Sequence, residues 1–174
     1  MTFKEQALNL QRYIRICVVV SAGAVTWAGT EAAAQTLGSD QHSITIQVSP
    51  MSVVQVTGGA VSLSLASASV VAGQDEMTVT DQSSGLAWGT NSSSQKITVS
   101  TSLTASLYTL KVVAVNPTAG LAAPEVTLGT VAGDLLLNIG RSSGFCALRY
   151  TGIALASQGT GTDVHTITFT VQTQ

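Results

Sequence analysis

Val164-His165-Thr166-Ile167-Thr168-Phe169-Thr170-Val171-Gln172-Thr173, close to the C-terminus, sets Ile167, Phe169 and Val171 in alternation with threonine and glutamine. In an extended chain, side chains two residues apart share a face, so this segment has one apolar and one hydroxyl-rich side. A lone strand of this kind is not stable. Other strands must bury the apolar side, and the sequence supplies them from Ile44-Thr45-Ile46-Gln47-Val48 onward.

The same period returns along the chain. His42 to Val48 reads as a first strand, interrupted near Pro50, with Val53 to Val56 following. Thr57-Gly58-Gly59-Ala60 is a turn signal, and Ala60 to Leu65 alternates again. Further strands are expected at Glu76–Thr80, Leu86–Thr90, Gln95–Ser100, Leu107–Val115, Pro124–Leu128 and Phe145–Ala154, with Asp81–Gly85 closing the first of them. In Leu107–Val115, Leu110, Val112 and Ala114 share one face. Val131 to Ile139 breaks the alternation and reads as a helical turn or as a strand crossing between sheets. About nine to ten short strands, spaced by turns every 8–12 residues or so, indicate an all-β antiparallel sandwich, immunoglobulin-like or jelly-roll-like.

Composition narrows the function. Only 9% of the 174 residues are charged, against about 25% in ordinary soluble proteins, and the formal net charge is −2. Without a basic field, nucleic-acid binding is not expected. A hydrophobic share of 45% at low net charge argues for a folded chain. Neutral Thr/Ser/Val strands make any open sheet edge a site for self-association.

The N-terminal segment reads as an export signal. Lys4, Arg12 and Arg15 precede an uncharged, mostly apolar run from Ile16 to Ala28, and Ala32 and Ala34 place small residues before Gln35. The run is shorter than the ~20 residues a membrane-spanning helix needs. The expected organisation is a signal peptide over residues 1–34, a polar leader over 35–41 and a sandwich domain over 42–174, with no membrane span after cleavage. Cleavage also removes Cys17. Cys146 is then the sole cysteine, either a small buried hydrophobe or an interaction thiol.

The order of the motifs Ile44-Thr45-Ile46-Gln47-Val48, Val61-Ser62-Leu63-Ser64-Leu65, Leu86-Ala87-Trp88-Gly89-Thr90, Lys96-Ile97-Thr98-Val99, Leu110-Lys111-Val112, Asp134-Leu135-Leu136 and Leu148-Arg149-Tyr150-Thr151 resembles a group of exported bacterial β-sandwich surface proteins, mostly without assigned function. The resemblance implies a sandwich fold and a secreted or cell-surface setting, and it carries over no functional residues. A weaker likeness is to cell-wall WxL domains and to pilin-like domains. Trp88 is followed by Gly89-Thr90 rather than by x-Leu, and one cysteine cannot make the disulfide many pilins carry.

No grouping points to catalysis or to a cofactor, and no enzyme activity is expected. His42 and His165 each follow an aspartate, Asp40 and Asp163, by two residues; if the first and last strands pair, the four groups converge. Asp75, Glu76 and Asp81 form an acidic cluster whose spacing fits no calcium loop. Trp88, Tyr108 and Tyr150 could stack on the rings of a surface polysaccharide or pack in the core. The role these features favour is a structural or adhesive surface protein, with a fibre subunit as its sharpest form and a carbohydrate-binding module as the alternative. A fibre subunit needs a donor segment that completes a neighbour's sheet, and His42 to Val48 has the alternation for it; the alternative is that this strand pairs inside its own domain, beside the C-terminal strand.

Overall fold

The computed structural model describes residues 38–66 and 70–174. The signal-peptide reading of residues 1–34, Cys17 and residues 35–37 of the leader lie outside them. Gly38–Thr45 falls to one unit and Ile46–Gln174 to a second, which holds all the described strands.

The second unit is an antiparallel β-sandwich. Its strands are β1 (Ser52–Thr57), β2 (Glu76–Thr90), β3 (Gln95–Thr101), β4 (Thr109–Val115), β5 (Leu121–Ala122), β6 (Val126–Thr127), β7 (Gly133–Ile139), β8 (Ser142–Leu155) and β9 (Ile167–Thr173). One sheet has the order β1-β2-β8-β4-β6, the other β5-β7-β3-β9, and every pairing is antiparallel. From β2 to β9 each strand lies in the opposite sheet from the one before it.

The core follows from strand parity. Leu86 and Trp88 on β2, Ile97 and Val99 on β3, Val112 and Ala114 on β4, and Cys146, Leu148 and Tyr150 on β8 all point between the sheets and are buried. Burying a large apolar side chain contributes roughly 1.5–3 kcal/mol, so this cluster is the main source of stability. Trp88 needs Gly144 opposite it: a Cβ there would lie 2.3 Å from the indole ring.

Several expectations change on contact with the sheets. Glu76–Thr80 and Leu86–Thr90 are one strand. Both halves pair with β8, and the register shifts between Asp81 and Ser84. Asp81 Oδ1 accepts from the Ser83 N–H at 2.9 Å and the Ser83 hydroxyl at 2.6 Å. The polar run thus satisfies its backbone within a bulge and does not end the strand. Residues 131–139 contain strand β7 and no helical turn; the chain crosses from one sheet to the other between β6 and β7. Alternation fails there because Leu135 and Leu136 are both fully buried, beside register shifts in the β3–β7 ladder on either side of Ile97. The fourth strand starts at Thr109, not Leu107.

His42–Val48 is not a strand. β1 begins at Ser52, paired with Thr90, the last residue of β2, so the chain before Ser52 runs past the end of its partner. The Asn91 side chain grips the backbone at that point. Its Oδ1 accepts from Met51 N–H at 2.7 Å and its Nδ2 donates to the Ser49 carbonyl at 2.8 Å. Pro50 between them has no N–H to offer a ladder. Ala60–Leu65 also lacks a ladder, yet Val61 and Leu63 pack on the core cluster. Leu63 covers the inner face of the first sheet at Gly152, where a Cβ would stand 3.2 Å from its Cδ1.

Candidate functional site

Of the polar candidates, Asp163 and His165 lie together, just before the start of β9. Asp163 Oδ2 accepts from the Tyr108 N–H at 2.8 Å and from the Ser106 hydroxyl at 2.9 Å. These donors, the Tyr108 N–H foremost, hold its carboxyl below the ordinary value. The Tyr108 carbonyl competes with Asp163 for the single Ser106 hydroxyl proton. His165 Nδ1 lies 3.1 Å from Thr101 Oγ1. A nucleophilic relay needs the histidine between serine and carboxylate. Here the carboxylate takes the serine directly and the histidine faces a threonine, so the cluster pins the Ser102–Tyr108 loop to the approach of β9. The expected convergence of both histidines fails at its premise, because β9 pairs with β3. Asp40 accepts from its neighbour Gln41 N–H at 2.8 Å.

The aromatic platform does not form. Trp88 and Tyr150 are each 5% exposed and belong to the core, since each shares its strand parity with a buried leucine. Burial pushes the Tyr150 hydroxyl up to about 12. Tyr108 is half-buried, and its hydroxyl donates to the Gly159 carbonyl at 3.2 Å. Among the described residues the exposed aromatic is Phe145, on the outer face of β8, with its ring folded over Gly85. Its opposite parity to Cys146 and Leu148 was the available sign.

Cys146 is fully buried, and desolvation raises its thiol to about 11, which makes it a core side chain without access to a partner. Asp75 and Glu76 border an open depression with Gln74, Thr78 and Leu155. Asp81 lies five residues further along β2, about 16 Å away at ~3.3 Å per residue, and is committed to Ser83. Among the described residues no three His, Cys, Asp or Glu side chains converge on a metal-sized site.

The remaining candidates are edges. Among the described residues β1 pairs only with β2 and β9 only with β3, and the two strands lie against each other across the sandwich. Neither contains a charged residue or a proline. Ile167, Phe169 and Val171 of β9 are half-buried, while Ile97 and Val99 beside them on β3 are closed off at 0% and 1% exposure. The core cover therefore thins at β9. Ile44, Ile46 and Val48 are 75%, 84% and 66% exposed.

Comparison with protein-family models, with curated proteins and with solved structures finds no match to this chain.

Proposed function

We propose that the protein is a secreted or cell-surface structural subunit that self-associates through its sheet edges, as in an extracellular fibre. The supporting observation is the pair of adjacent edge strands, Ser52–Thr57 and Ile167–Thr173, neither of which carries a charged residue or a proline. Proteins that stay monomeric blunt such edges with lysine, proline, bulges or covering loops. A neutral, hydroxyl-rich surface suits contact between like copies, because no net field of one sign opposes it.

The test is the size of the native particle. The full chain is expressed with its N-terminal segment in a host able to process it, and the extracellular fraction is examined by sedimentation and electron microscopy. A concentration-dependent ladder or filament is expected. A protein retained in the cytoplasm, or a secreted monomer at every concentration, overturns the reading.

A further inference from the structure

We infer that the segment Ser43–Val48 of one copy adds as a strand to the open edge of β9 in a second copy. The inference rests on the self-association reading above and names its contact.

The donor is unusual for a connecting segment. Ser43-Ile44-Thr45-Ile46-Gln47-Val48 is built of strand-forming residues in strict alternation, yet it has no ladder, and its three aliphatic side chains stand in solvent. The acceptor is its counterpart. β9 is seven residues long, and Ile167, Phe169 and Val171 alternate along it in a half-buried row beside the core. A six-residue extended segment laid against the free edge of β9 would place Ile44, Ile46 and Val48 in line with that row, closing the flank where the core cover thins. Main-chain hydrogen bonds would supply affinity, and the alternate side chains register. Neither segment carries a charge, so nothing opposes the approach.

β1 is the weaker acceptor. Its exposure pattern does not alternate, and Val54 is its one inward aliphatic residue. The clamp of Asn91 on Ser49 and Met51 fixes where the donor leaves its own sandwich. Donor and acceptor are different surfaces, so each copy can give one strand and take one. Such a head-to-tail contact propagates into a filament unless it closes into a ring.

The test uses the full chain, processed as above, with two sets of variants. Ile44→Asp with Ile46→Asp changes only exposed side chains and should leave the thermal midpoint of the monomer in place. It should raise the concentration needed for assembly at least tenfold. Gln47→Cys and Thr170→Cys, made in separate preparations, both replace exposed residues. Mixed under oxidising conditions they should give a disulfide-linked heterodimer in preference to either homodimer. Assembly that survives the double aspartate change overturns the donor role and leaves self-association standing. An unmodified chain that never assembles overturns both. A chain carrying both cysteines that closes only on itself, as a monomer, overturns the second copy as the recipient.

Discussion

Asp163 shows how a residue suggestive of chemistry can serve a connection instead. It lies near the surface and collects donors from Ser106, Leu107 and Tyr108, which depress its pKa. The unfolded value is about 3.9, so the contribution of these bonds is complete above that pH and is lost as pH falls through the lower folded value. Amide exchange at Tyr108, corrected for its intrinsic rate, should therefore stay constant from pH 7 to 5 and accelerate below about pH 3.9. Asp163→Asn should weaken protection at neutral pH and abolish the acid step. A Tyr108 amide that exchanges alike in both proteins would show that the carboxylate does not hold the loop. Trp88 and Cys146 belong to the same scale. Each could have met a ligand, and each is committed to the interior by its parity with Leu86 or Leu148.

Among the elements, the two alternating segments without ladders are the most informative. Leu63 packs on the core beside Gly152 and Val79, whereas Ile44 stands in solvent. Leu63→Ala should cost the monomer about 1–3 kcal/mol in urea unfolding, somewhat under the range for a fully enclosed leucine. Ile44→Ala should stay within about 0.5 kcal/mol. Equal losses at the two positions would mean that Ile44 is packed after all. The period-two pattern made the sandwich and the inward residues of β3, β4, β8 and β9 legible, because alternation reports which side chains share a face. It does not report whether a neighbouring backbone is in reach. His42–Val48 and Ala60–Leu65 therefore look like Gln95–Ser100, although only the last has partners on both sides. The bulge at Asp81–Ser84 was hidden for a related reason, since polar residues satisfy a bulge as readily as a turn. β5 is only two residues long, too short to carry a period. Of the candidate sites, the exposed edges were legible as low charge and alternation; the Asp163 cluster joins residues over fifty positions apart and has no local signature.

At the scale of the molecule, the change of sheet at every step from β2 to β9 leaves few contacts between consecutive strands. Topologies dominated by distant pairings fold slowly, in milliseconds to seconds for small domains. The placement of β8 adds a second constraint. It lies between β2 and β4, so without it the first sheet is two disconnected pieces. Synthesis runs against assembly: seven of the nine described strands leave the ribosome before the strand that joins them. A nascent chain stalled with residues 142–174 still inside the exit tunnel should be cut rapidly by protease along its exposed length, and release should bring protection in one step. Protection of the stalled chain would mean that β1–β7 hold together alone. If the stalled chain is cut as expected, the polypeptide has no partly built form to rest in until β8 is made, and it stays a thread that can still be passed through a narrow opening.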